Sequence, residues 1–253
     1  MQRLHNSTLK SIVTEDFRAA AVFEKYSLDF CCGGGVTIDE ACSKKNIDPA
    51  PVYEELGRLD GNPKGDTPHF SAWPADELIT YIVNVHHRYV REAIPALLAH
   101  TQKVAVVHGE RHPEVIAVAQ HFETVAKDMM AHMMKEEHVL FPYIEQLVKV
   151  KRGSEALRTP PFGNVQNPIR MMEAEHQAAG GELATVRMLT NNYIAPEDAC
   201  MTYRVSFQEL QQFEEDLHRH VHLENNILFP KAIALEEEAK SPASSVSNQS
   251  FTI

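Results

Sequence analysis

Apolar residues recur every three or four positions through most of the 253-residue chain, and no stretch alternates apolar with polar long enough to make a half-buried strand. The pattern predicts an all-α fold with four long helices. The first is expected from about Pro74 to Lys103. Pro74 costs no hydrogen bond at a helix start, and Asp76 and Glu77 face the positive end of the helix. Pro95 should kink it. The second is expected from Pro113 to about Lys151, and the third from Asn167-Pro168 to about Thr190. The fourth runs from Pro196, followed by Glu197 and Asp198, to about Glu238. Such helices with modest connections suggest an antiparallel four-helix bundle. Only the second connection, RGSEALRTPPFGNVQ at about 152–166, exceeds the usual loop length.

Residues 1–60 read as a separate small helical unit. Thr14–Tyr26 has helical spacing with Thr14 as its N-cap, Thr37 and Glu40 form a capping box, and Pro49 opens a third short helix. Between the first two lies DFCCGGG, whose three glycines make a turn or an anion-binding nest. Residues 61–73 are Gly/Pro-rich and read as a linker to the bundle at 74–238. The polar tail, 239–253, is expected to be disordered.

One phrase is written twice. HMMKEEHVLFP (132–142) and HVHLENNILFP (220–230) share His, Glu and Leu-Phe-Pro, each at an offset of 88 positions. On a helix, Met129, His132, Glu136 and Leu140 fall on one face, as do Leu217, His220, Glu224 and Leu228. A solvated His/Glu pair four apart is common on helices. Two pairs, each bracketed by core positions, instead point to metal ligation, because a buried carboxylate needs a charge partner or a metal. On the third helix, His176 lies in the middle of the stripe Ile169, Met172, Ala179, Leu183 and Val186. On the first, His86 and His87 both lie near the stripe, and periodicity leans to His87. Four His and two bridging Glu suit a pair of iron ions, with an oxo or hydroxo group completing the bridge and a position open to dioxygen or nitric oxide. Most of the ten other histidines read as surface or packing residues, and Met129, Met130, Met133 and Met134 as core fillers.

A net charge of −11 disfavours nonspecific binding to nucleic acid or anionic lipid. No apolar run is long enough to span a membrane, and the start lacks the apolar stretch of an export signal, so a cytoplasmic protein with reduced thiols is expected. Of four cysteines, adjacent Cys31 and Cys32 make a poor disulfide framework. Glycine-rich backbone ahead of a helix should favour their thiolates, while Cys42 and Cys200 read as core.

DFCCGGG, HHRYVREAIP, HMMKEEHVLFP, MEAEH and HVHLENNILFP together resemble the iron–sulfur cluster repair proteins, the repair-of-iron-centres family, over roughly residues 6–236. The resemblance implies a hemerythrin-like bundle with two non-haem irons, preceded by a Cys-Cys domain. It places the ligands on His87, His132, Glu136, His176, His220 and Glu224, and the cysteine pair on Cys31 and Cys32. It implies restoration of clusters damaged by nitric oxide or oxidants, with iron–sulfur proteins as clients. The thiols would handle iron or electrons, and nitric oxide reduction or iron donation would be the activity. The competing expectation is a hemerythrin-like carrier or sensor of dioxygen or nitric oxide, which has no use for the Cys-Cys domain. A di-iron oxidase is a third, weakened by the four-His ligation. The sequence leaves the oligomeric state open, a homodimer included.

Overall fold

The structure, a computed structural model, describes residues 2–60 and 68–241. Most of the expected linker and the tail from 242 onward lie outside the described residues. Five short helices come first: α1 Gln2–His5, α2 Leu9–Glu15, α3 Ala19–Lys25, α4 Ile38–Lys45 and α5 Ala50–Asp60. The capping box forms as expected: Thr37 Oγ1 accepts from the Glu40 N–H at 3.3 Å and Glu40 Oε2 accepts from the Thr37 N–H at 2.8 Å. Thr14 does not cap a helix. Its hydroxyl donates to the Lys10 carbonyl at 2.8 Å inside α2. Thr8 caps α2, and Asp16 ends it, paired with Arg18 at 2.6 Å. The only β pairing among the described residues is an isolated bridge between Thr8 and Thr37.

The expected linker ends in structure. Phe70–Ala72 is a single 3₁₀ turn that buries Phe70 against Phe17, Trp73 and Tyr81. Four rods follow. Rod I is α6 (Ala75–Ile82), a π turn (Val83–His87) and α7 (Arg88–His108). It outruns the expected end at Lys103 because Val104 and His108 continue the buried stripe. Pro95 sits on its exposed face without ending it. Rod II is α8 (Glu114–Lys135), a π turn (Glu136–Leu140) and α9 (Phe141–Lys151). Rod III is α10 (Gln166–Leu189). Rod IV is α11 (Met201–Leu223), a π turn (Glu224–Leu228) and α12 (Phe229–Lys240). Thus α12 carries two residues more than the expected end.

Rod IV starts five residues later than Pro196. Asn191, Asn192 and Tyr193 all take positive φ (48°, 59° and 61°), a left-handed turn that lowers Tyr193 onto Glu214 with OH···Oε2 at 2.7 Å. Rod III packs on II, II on I, I on IV and IV on III, closing an antiparallel four-rod bundle.

Two apolar clusters fill the molecule. One joins the five N-terminal helices to α7, α8, the second half of α10 and α11. The other joins α6, α9, the start of α10 and α12. In every rod, one cluster gives way to the other around a short polar interval, at His87, at His132 to Glu136, at His176 and at His220 to Glu224.

The N-terminal unit also seats His222, which the sequence pattern left as a surface or packing residue. It is fully buried, with ring centroids 5.7 Å from Phe30 and 6.1 Å from Phe17, and Asn226 Nδ2 is 3.2 Å from its Nδ1. Burial pushes its pKa down to about 4 from 6.5. A histidine held neutral contributes stability that is intact above 6.5 and lost as pH falls toward 4. In metal-free protein the unfolding free energy should therefore fall about 3 kcal/mol more between those limits in wild type than in His222→Gln. Parallel pH curves for the two proteins would rule this out.

Candidate metal centre

The sequence periodicity that makes each rod also aims its polar interval at the bundle axis. His87, His132, Glu136, His176, His220 and Glu224 are each no more than 1% exposed. They form two groups: His87, His220, Glu136 and Glu224; and His132, His176, Glu136 and Glu224. Both carboxylates belong to both groups. His87 Nε2 and His220 Nε2 are 3.1 Å apart, and His132 Nε2 and His176 Nε2 are 2.9 Å apart. Glu136 Oε2 lies 3.4 Å from His87 Nε2 and 3.3 Å from His132 Nε2. Glu224 Oε1 is 3.0 Å from His220 Nε2, and Oε2 is 3.1 Å from His176 Nε2.

The outer ring nitrogens explain why a cation fits. His87 Nδ1 meets Glu137 Oε1 at 2.6 Å, His132 Nδ1 meets Glu175 Oε2 at 2.9 Å, and His176 Nδ1 meets Asn225 Oδ1 at 2.9 Å. These partners accept, so each Nδ1 carries the proton and each Nε2 turns a lone pair inward. Lone pairs then face each other across 2.9–3.1 Å, which only a proton or a metal ion between them makes favourable. Both oxygens of Glu136 and Oε2 of Glu224 are buried without a directed hydrogen bond. Such orphaned carboxylate atoms are costly and are what a pair of cations would satisfy.

Without metal, protons stand in. Burial alone would lower His87, but hydrogen bonds to and charges of Glu136 and Glu224 outweigh it and raise His87 to about 10. Burial likewise opposes, and the Glu136 charge overcomes, a rise of His132 to about 9. Burial dominates at His220 and lowers it. Burial and mutual repulsion act to raise Glu136, yet the histidines hold it below the usual range; Glu224 is held well below it, mainly by His220 against burial.

The groups behind the histidines were not among the sequence candidates. Glu137 is held by Arg91 at 2.5 Å and Glu175 by Lys135. His220 Nδ1 has no hydrogen-bond partner; its ring stacks on His86 at 5.5 Å, and His86 bonds Asp216 at 2.9 Å. The repeat carried a signal for two of them: Glu137 and Asn225 directly follow Glu136 and Glu224 and are themselves 88 positions apart.

The cysteine pair lies against this site. Cys31 is buried and Cys32 exposed, with sulfurs 3.8 Å apart. Both border a cavity of about 380 Å³ that is also lined by His176, Gly180 and Gly181. The expectation of thiolates is corrected for Cys31. Its hydrogen bond to Cys32, burial and the Asp29 carboxylate raise its pKa well above the usual thiol value. The glycine-rich turn does bind an anion, but that anion is Asp29. Its carboxylate accepts from the N–H groups of Cys31, Cys32 and Gly33 at 3.0, 3.0 and 2.8 Å. Gly34 is obligatory there, since a Cβ would lie 2.3 Å from the Phe30 carbonyl oxygen. Cys42 is core as expected, whereas Cys200 is exposed at the start of α11, 3.2 Å from His108 Nε2. Met129 and Met133 are core, but Met130 and Met134 face solvent, one position round the helix from the stripe.

Two family models match parts of the chain. Residues 78–232 match the family model for the hemerythrin HHE cation binding domain, and residues 5–60 match a domain of unknown function. The chain is 37% identical over 216 residues to the iron–sulfur cluster repair protein YtfE of Musicola paradisiaca, covering 85% of this chain and 91% of that protein. It is 36% identical over 228 residues to the protein of that name from Yersinia pestis, covering 90% and 97%. It is 35% identical over 216 residues to a probable iron–sulfur cluster repair protein of Haemophilus influenzae, covering 85% and 91%. With a cation-binding bundle forming most of its length and relatives aligned nearly end to end, the chain belongs to the iron–sulfur cluster repair protein family.

Proposed function

We propose that this chain repairs iron–sulfur clusters damaged by nitrosative or oxidative stress, using two non-haem iron ions in the bundle. The observation that carries the reading is the pair of four-residue groups sharing both carboxylates. His87 and His220 would hold one ion, His132 and His176 the other, and Glu136 and Glu224 would span both. Iron held there would supply redox chemistry toward a small ligand such as nitric oxide or dioxygen, and could be passed to a client as cargo. The chain's own residues hold the histidine tautomers, keep the carboxylates ionised and seal the site between two apolar clusters.

The cysteine pair favours repair over a carrier of dioxygen or nitric oxide, because it shares a cavity with His176. No helix among the described residues is long and apolar enough to cross a membrane. The test uses protein purified without added metal, with metal analysis and Mössbauer spectra. Two coupled irons per chain are expected; zinc, or a folded protein without metal, would sink the iron reading. The iron-loaded protein should then reactivate a dehydratase whose cluster nitric oxide has destroyed. The double variant Cys31→Ser/Cys32→Ser should keep its iron yet reactivate about tenfold more slowly. Equal rates would remove the thiols from the repair step, and a wild type that reactivates nothing would favour the carrier.

A further inference from the structure

Three rings between the surface and the candidate centre have no part in holding metal. Trp73, the chain's single tryptophan, is half-buried and meets Tyr81 edge-on, with ring centroids 5.6 Å apart at 90°. Tyr81 lies 5.7 Å from His86 at 69°, and His86 stacks on His220 at 5.5 Å and 6°. Each spacing is that of aromatic rings in direct contact. They make an unbroken column from a half-buried indole to a fully buried histidine beside both carboxylates. The rings on the other candidate ligands differ: Phe141 stacks on His87 at 5.7 Å and Phe229 on His176 at 6.2 Å. Phenyl rings are far harder to oxidise than indole. Among the described ring contacts, only the His220 column leads to an indole.

We propose that Trp73 is an electron source for the His87–His220 position, reached through Tyr81 and His86, and that it protects the site when peroxide meets iron there; this rests on the iron reading above. Peroxide is a two-electron oxidant. One electron comes from a ferrous ion. Once the other iron has been passed to a client, no second ion is at hand, and without another electron donor hydroxyl radical is released onto the nearest side chains. The column supplies that electron from Trp73. Electron tunnelling falls steeply with the gap between groups, and rings in contact leave the smallest gaps. The two electrons break the O–O bond to two hydroxides, and the indole N–H proton converts one of them to water through solvent. The products are a ferric ion, one water, one hydroxide and a neutral tryptophanyl radical. Near the surface, a small thiol or ascorbate can return an electron and a proton to that radical.

The test uses the full chain, as wild type and as His176→Ala, which keeps the His87–His220 set whole, each loaded with one ferrous ion per chain without oxygen. After one equivalent of hydrogen peroxide, tryptophanyl radical is read by rapid-freeze electron paramagnetic resonance and hydroxyl radical by spin trapping. Both proteins should give the tryptophanyl signal, which can only be Trp73. Trp73→Phe keeps an aromatic ring in the packing, and Tyr81→Leu cuts the column. Each should lose the signal and release more trapped hydroxyl radical, roughly fivefold more in the His176→Ala protein. Zinc-loaded protein given the same peroxide should leave Trp73 intact by peptide mass. Equal oxidation of Trp73 with zinc, a signal that survives Tyr81→Leu, or equal hydroxyl radical with and without Trp73→Phe would overturn the proposal while leaving the iron site standing. A folded wild type that binds no iron would overturn both, and metal analysis of the same samples separates the cases.

Discussion

Glu136→Ala and Glu224→Ala are each expected to lose both metal ions, whereas His87→Ala, His132→Ala, His176→Ala or His220→Ala should lose mainly one. Each carboxylate belongs to both four-residue groups, and each histidine to one. Removing a spanning carboxylate takes a charge and an oxygen from both positions, leaving four histidines and one carboxylate to hold two dications. Removing a histidine leaves the other position's set whole. Metal analysis and Mössbauer spectra of the six variants read the difference directly. The stability consequence has the same sign in the two forms. Metal-loaded protein should unfold far more easily after either Glu→Ala change, because metal binding free energy is folding free energy. The metal-free variants should also be less stable than metal-free wild type, since each deletion strands the buried histidine charges that the carboxylate neutralises. One metal retained in Glu136→Ala would show that the carboxylates do not span both positions.

Much of this arrangement was legible because two periods coincide. The helical stripe and the 88-residue repeat put His132, Glu136, His220 and Glu224 on core faces, and the stripe alone put His176 there. Choosing His87 over His86 needed more, because both rings are buried and adjacent residues differ by only one position on the helix. The π turns were invisible as such. Each adds a residue to a turn, and in rods II and IV the Phe141 and Phe229 N–H groups reach back five residues to Glu136 and Glu224. The Pro142 and Pro230 that follow cannot donate, so the wider turn accommodates a gap the proline creates. The repeated Leu-Phe-Pro was therefore a backbone signal as well as a side-chain one. Rod I has no such proline beside its π turn, and nothing local marks it. The N-terminal helices were misplaced where a threonine had two local uses: Thr14 bonds back into its own helix rather than capping the next. The state of Cys31 was missed because the anion that fills the glycine turn is contributed by Asp29, which belongs to the same DFCCGGG phrase.

Metal loading near neutral pH is expected to expel about two protons per chain. His87 and His132, with pKa values raised to about 10 and about 9, carry their protons in the metal-free protein at pH 7. His220 is lowered and already neutral, and the two carboxylates are held ionised, so none of these releases a proton. The sign for stability follows from the same shifts. A histidine raised from 6.5 contributes stability that is complete below 6.5 and disappears as pH climbs through 9 and 10. Metal-free protein should therefore weaken by a few kcal/mol across that window. Metal affinity should strengthen over the same window, because the competing protons leave by themselves. The two stability curves diverge with rising pH, and each His→Gln variant at 87 or 132 should remove one proton from the count. Calorimetric titration with zinc in buffers of different ionisation enthalpy gives the number. A count near zero would mean that the inward nitrogens face each other unprotonated in the metal-free protein, and that the buried carboxylates are neutralised by some other route.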